Sequence, residues 1–193
     1  MPTPLSNSST PAQIAAWLNN SALNWTAADS GVLAWSFDPA SMYSGLALNA
    51  GLLYLAAVPI RQQMTVSNIL HFVSAAGSGL TSGQNLACLY QNGQLQGVTA
   101  DQSAAWASTG LKTAALTAPA TLLPGMAYAG FFGNGTTRAA LAQSASSAFN
   151  GIVNAGNASR AVYDSSHTGL TTAPPATLGT LTAQPVLLWA GLS

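Results

Sequence analysis

From Met42 onward no apolar stretch runs far before Gly, Pro or Asn interrupts it, and this punctuation is the strongest limit on what the chain can fold into. Short apolar runs bounded by turn residues read as strands. The candidates are 52–58, 65–73, 85–91, 95–99, 111–116, 127–133, 138–143, 160–164 and 186–190. In 65–73 the residues Val66, Leu70 and Phe72 fall on one face, with Thr65, Ser67 and His71 on the other, an alternation that predicts a sheet with one face on a core. Between Leu89-Tyr90 and Leu95 lies Gln91-Asn92-Gly93-Gln94, where Asn-Gly supplies the two positive φ angles of a type I′ hairpin turn. About eight strands suffice for two four-stranded sheets, so the predicted fold class is all-β, a jelly-roll-like β-sandwich. The alanine-rich stretch 139–145 has helical propensity, but Gly133-Asn134-Gly135 before it and the surrounding Ser and Thr favour a strand followed by a loop. Residues 144–159 and 165–185 read as long connections, since Pro174-Pro175 suits neither a helix interior nor a central strand.

The first forty residues differ. Thr10-Pro11-Ala12-Gln13 matches a helix start, with Thr10 as N-cap, Pro11 at the first helical position and Gln13 closing a capping box. Ile14, Trp17 and Leu18 then make one apolar face of a short helix that Asn19-Asn20 ends. Such a helix is marginal alone in water and needs a surface to dock on. Trp25, Leu33, Trp35 and Phe37 follow, so three of the five tryptophans precede residue 41. Two readings stand: these aromatics pack on the chain's own β-domain, or they form an arm that inserts into a partner. The predicted organisation is a helix and extended arm over 1–40 and a β-sandwich domain over 41–193.

Charge narrows the function classes. The chain carries four Asp, no Glu, three Arg and one Lys, so charged residues are 4% of the total, against roughly 25% in an ordinary soluble domain. Arg61, Lys112, Arg138 and Arg160 are scattered, which argues against nucleic-acid binding. A net charge of zero removes self-repulsion and favours association, so a homo-oligomer or a subunit of a larger assembly is expected. No apolar run approaches the roughly 20 residues of a bilayer span, and Met1-Pro2-Thr3-Pro4 lacks the basic start of a signal peptide. Cys88 is the single cysteine, so no internal disulfide or cysteine zinc site can form, and a small buried residue in a strand is expected there.

Catalysis needs convergent ionisable groups, and only four Asp and two His exist to supply them. Asp29 and Asp38 sit in turn contexts, and Asp101 suits a turn or cap. Asp164 and His167 are close enough to suggest a nucleophile or metal pair, but no Gly-X-Ser-X-Gly elbow accompanies them and two ligands do not make a metal site. The chain is read as a non-enzyme requiring no cofactor. Binding remains. Trp106, in Ala104-Ala105-Trp106-Ala107-Ser108, either caps one end of the core or, with Tyr90, offers an aromatic platform for a sugar.

A group of motifs resembles a β-sandwich domain found in structural proteins of tailed bacteriophages, especially those of actinobacteria, and in tail-fibre-like proteins. They are Leu53-Tyr54-Leu55, Ser78-Gly79-Leu80-Thr81-Ser82-Gly83-Gln84-Asn85, Leu89-Tyr90, Thr99-Ala100-Asp101-Gln102-Ser103-Ala104-Ala105-Trp106, Thr109-Gly110-Leu111-Lys112, Gly133-Asn134-Gly135-Thr136, Gly169-Leu170-Thr171-Thr172 and Leu188-Trp189-Ala190-Gly191-Leu192-Ser193. The resemblance spans about three quarters of the chain and implies no catalytic residue. It implies a virion protein, and the short stretch before the domain favours a capsid decoration subunit over a fibre. On that reading the sandwich forms a homo-oligomer, expected to be a trimer. Ile14, Trp17, Leu18, Trp25, Leu33, Trp35 and Phe37 dock on the major capsid protein, another virion protein or a sister copy. The alternative is a tail receptor-binding protein that takes host cell-wall carbohydrate on Trp106 and Tyr90.

Overall fold

A computed structural model describes Thr10 and residues 26–144 and 160–193. Two antiparallel sheets face each other across one apolar core. In the first, β4 (Met64–Ala75) is central and pairs along one edge with β8 (Gly110–Leu122). Its other edge is shared by two strands laid end to end, β14 (Gly191–Leu192) and β11 (Ala140–Ser144), which pair outward with β1 (Ala34–Trp35) and β2 (Met42–Ala47). The second sheet runs β13 (Leu181–Ala183), β12 (Ala161–Asp164), β3 (Tyr54–Ile60), β9 (Gly125–Phe132), β6 (Leu86–Gln91) and β7 (Gln94–Val98). A two-stranded antiparallel ribbon of β5 (Ser78–Leu80) and β10 (Gly135–Thr137), one helical turn, Ser103–Trp106, and two 3-10 turns, Ala28–Ser30 and Pro39–Ser41, complete the described fold. The all-β sandwich expected from the turn punctuation is therefore present, with six strands in each sheet rather than four.

The Asn-Gly turn forms as expected: Asn92 and Gly93 have φ of 54° and 74°, and Gln91 pairs with Gln94 across it. The alanine-rich stretch is a strand, β11. The run at 186–190 is not; pairing begins one residue later, in β14, and Leu188 makes only an isolated bridge to Gln143.

The faces predicted for 65–73 are corrected by a bulge. The ladder between β4 and β8 slips between Val66 and Asn68, where Ser67 and Asn68 donate their amides to the Ser193 carbonyl. One skipped residue inverts the alternation. Val66, Ile69, His71 and Val73 thus point into the core, while Leu70 and Phe72 are only half-buried on the outer face. Pro119 is accommodated at the same slip, among the residues of β8 between Ala115 and Ala120 that have no partner in β4.

The core between the sheets is built from many small residues, among them Ala56, Ala120, Ala127 and Ala129, filled out by Ile69, Leu122, Phe131, Leu141 and Trp106. A second cluster, Leu53, Leu55, Leu86, Cys88, Tyr90, Phe132 and Val162, covers the far face of the second sheet. Its cover is the connection after β12, whose Leu170 and Leu178 pack against this cluster together with Leu181 at the start of β13. Close approach here requires glycine at 130, where an added Cβ would lie 2.7 Å from the Cys88 sulfur and 3.0 Å from a Leu53 methyl.

The boundary predicted at residue 40 falls inside this fold. Leu33 and Ser36 donate their amides to the carbonyls of Leu192 and Ala190, Ala34 is buried, and Trp189 Nε1 donates to the Phe37 carbonyl at 3.1 Å. The chain joins the sandwich by residue 33: Ala34–Trp35 is an edge strand, and a 3-10 turn at Pro39–Ser41 leads into β2. The expected helix after Thr10 lies outside the described residues.

Candidate functional site

The two rings proposed as a sugar platform are interior. Trp106 and Tyr90 are both fully buried, so neither offers a face to a ligand. Trp106 sits in the core with its Nε1 donating to His71 Nε2 at 2.7 Å, and Tyr90 Oη donates to the Pro175 carbonyl at 2.7 Å. Because an indole N–H can only donate, His71 Nε2 must be unprotonated and the neutral ring carries its proton on Nδ1. Burial holds the His71 pKa down at about 4. The Ile69 backbone opposes that weakly, although Nδ1 has no partner of hydrogen-bond geometry, and the charge of Lys112 adds to it.

Four of the motifs singled out in the sequence, 78–85, 99–106, 133–136 and 169–172, meet around Asn85. Asn85 Nδ2 donates to the Thr81 carbonyl and to Ser103 Oγ, Oδ1 accepts from the Asn134 amide, and the Asn85 amide donates to Asp101 Oδ1. Asn134 Nδ2 in turn donates to the Leu170 carbonyl at 2.7 Å. These residues satisfy one another and the backbone of four separate segments, which is structural work. Burial would raise the Asp101 carboxyl, but donors from the Gly83 backbone, Ser103 and Asn85 hold it below the usual carboxylate range.

Asp164 and His167 do come together, with Oδ2 2.9 Å from Nδ1. The carboxylate is fully buried. It accepts the amides of Ser166, His167 and Gly179, and so fastens both ends of the connection that covers the second sheet. Burial by itself would push its pKa up; the Gly179 amide, His167 and Ser166 together outweigh that and lower it. The neighbouring hydroxyls are engaged: Ser165 Oγ donates to the Thr180 carbonyl, and Ser166 Oγ accepts the Thr180 amide. Among the described residues no group of three or more His, Cys, Asp or Glu is placed to hold a metal ion, and no helix is long and apolar enough to cross a membrane.

What the surface does present is apolar. On the outer face of the first sheet, Val32, Pro39, Met42, Leu70, Phe72, Leu111 and Trp189 line a groove of ≈ 310 Å³, with Ser30 at its margin. Leu111 is 58% exposed there, and Tyr43, on the neighbouring β2, is 74% exposed. Of the proposed anchoring residues, Leu33 is half exposed, Trp35 is half-buried, and Phe37 packs partly against the core. Ile14, Trp17, Leu18 and Trp25 lie outside the described residues. Leu70, Phe72 and Leu111 escape a reading of the sequence because the bulge at Ser67 is invisible in a period-two pattern. Cys88 is buried, as expected, and burial raises its thiol pKa.

No protein-family model matches the chain, and no curated protein matches it significantly.

Proposed function

We propose that this chain is a non-enzymatic structural subunit of a bacteriophage particle, a capsid decoration protein. On this reading it self-associates through its β-sandwich and docks on the major capsid protein through its N-terminal segment. The observation that carries the assembly part is the groove on the first sheet. It is apolar, Leu111 stands open beside it, and neither a carboxylate nor a cation is among the residues that line it. Covering it with a second copy buries hydrocarbon and desolvates no ion, which is the economical composition for the centre of an interface. The phage setting is supported by the motifs around Asn85 and by the Trp-rich start, whose Ile14, Trp17 and Leu18 repeat at helical spacing.

Labelling this chain and imaging assembled particles tests the placement. Density over the capsid shell is the expected outcome. Label confined to the tail replaces decoration with a tail role, and an unlabelled particle overturns the reading.

A further inference from the structure

Between Ala100 and Thr109 a single side chain is fully buried, the Trp106 indole. The other residues of that loop are exposed or half-buried, so its middle is held to the sandwich by this one ring. The seat is close: a Cβ added at Gly133 would lie 2.9 Å from Trp106 Cζ3, and the indole stands edge-on to His71 with ring centroids 5.8 Å apart. Its N–H is spent on His71 Nε2. Phe131 packs on the same imidazole at 5.3 Å, and the buried Nδ1 has no hydrogen-bond partner. A protonated ring would therefore carry two donors, one pressed against the indole N–H and the other facing no acceptor.

The two ends of the loop are fastened independently of that contact. Upstream, Asp101 Oδ1 accepts the Asn85 amide and Ser103 Oγ, and the Gln102 amide donates to the Asn85 carbonyl at 2.7 Å. The Asp101 carboxyl, held below the usual range, keeps its charge in mild acid. Downstream, Lys112 Nζ donates to Ser108 Oγ at 2.9 Å and to the Thr109 carbonyl at 3.3 Å. Lys112 is also the cross-strand partner of His71 and the charged group whose field opposes a second cation there. The strands β9 and β11 bring no Asp, Arg, Lys or His, and Tyr54 of β3 stays neutral because burial raises its pKa.

We propose that Trp106 and His71 form an acid-operated latch, in which a proton taken from solvent onto His71 Nε2 expels the indole from the core and frees residues 104–107, while Asp101 and Lys112 keep both ends of the loop in place. The opening is local, because the Asn85 cluster and the strands contain no group that titrates with it. It stands whether or not the assembly reading does.

Hydrogen exchange of the full chain, resolved by residue and corrected for the intrinsic rate at each pH, tests the latch. The reporters are the Trp106 amide, bonded to the Gln102 carbonyl, and the Gly77 amide, bonded to the Trp106 carbonyl. Their protection should fall about tenfold per pH unit between pH 6 and 4.5, since the open loop returns His71 to its ordinary pKa. The Gln102 amide and those of β3, β6 and β9 should keep their protection. His71→Gln retains an acceptor for the indole but takes up no proton, so its reporters should not respond to pH. Should that variant not fold, the ring resonances of His71 in the native chain, told from those of His167 by His167→Gln, decide: they should titrate together with the loss of protection. Reporters that stay protected to pH 4, that open only together with the strands, or that respond equally in His71→Gln overturn the proposal, as does a His71 titration separate from the opening.

Discussion

The inner strands of the second sheet, β12, β3, β9 and β6, are largely buried on both faces, whereas the first sheet has a buried inner face and an outer face on which Leu70, Phe72 and Leu111 border an open groove. The difference comes from one connection. After β12 the chain doubles back over the second sheet, fixed at Asp164 by the Gly179 amide, at Gly93 by the Leu178 amide and at Gly51 by the Leu170 amide. Nothing comparable among the described residues covers the first sheet. An exposed apolar patch of this kind is the surface on which the proposed assembly rests. The covered sheet is the one the described chain finishes for itself.

Truncating one aromatic on each side measures that contrast. Tyr90 is fully buried beneath the connection, so Tyr90→Ala should cost about 4 kcal/mol, combining a cavity with an unpaired Pro175 carbonyl. Phe72, half-buried on the open face, should lose only about 1 kcal/mol on the same change. Urea unfolding of the two variants gives both values. Equal losses would mean that the open face is covered as completely as the closed one.

The core between the sheets should carry a pH signature that neither outer face has. His71 is neutral inside it, with its pKa held down at about 4 against an ordinary value of 6.5. The unfolded chain therefore binds a proton that the folded chain refuses. Stability contributed by keeping the ring neutral is complete above about pH 6.5 and is lost as the pH falls toward 4, on the order of 3 kcal/mol in all. Protonated Nε2 would also confront the Trp106 N–H, donor against donor. Asp164, whose pKa is lowered, loses its contribution in a separate window below the ordinary aspartate value of 3.8. Urea midpoints between pH 7.5 and 4 should fall for the native chain. The fall should be much smaller in His71→Phe, which is less stable throughout but has no ring to titrate.

The same contrast explains what the sequence reveals. Strands of the second sheet are legible as unbroken apolar runs, because both of their faces are buried: Leu53 to Val58 and Leu86 to Tyr90 need no alternation to be recognised. The Asn92-Gly93 turn is legible because its backbone demands are local. The face of β4 is not, since the bulge at Ser67 depends on the carboxy-terminal Ser193 docking there. Trp106 and Tyr90 look like a platform in sequence because small and polar neighbours surround them, and only the folded chain brings His71 and Pro175 to their polar atoms.

The smallest effect on the single molecule should accompany the largest effect on its associations. Leu111 is 58% exposed on β8, at the rim of the groove and next to Lys112. Leu111→Asp removes little buried area, so unfolding free energy should stay within about 0.5 kcal/mol of the native value. If a second copy covers the groove, the same change places a carboxylate in an apolar contact, where an unpaired charge costs far more than the leucine contributed. Sedimentation equilibrium should then show an oligomer for the native chain and a monomer for the variant at equal concentration. A native chain that sediments as a monomer at high concentration, or a variant that associates as well as the native chain, removes the groove from the assembly surface and leaves the contrast between the two sheets without its functional meaning.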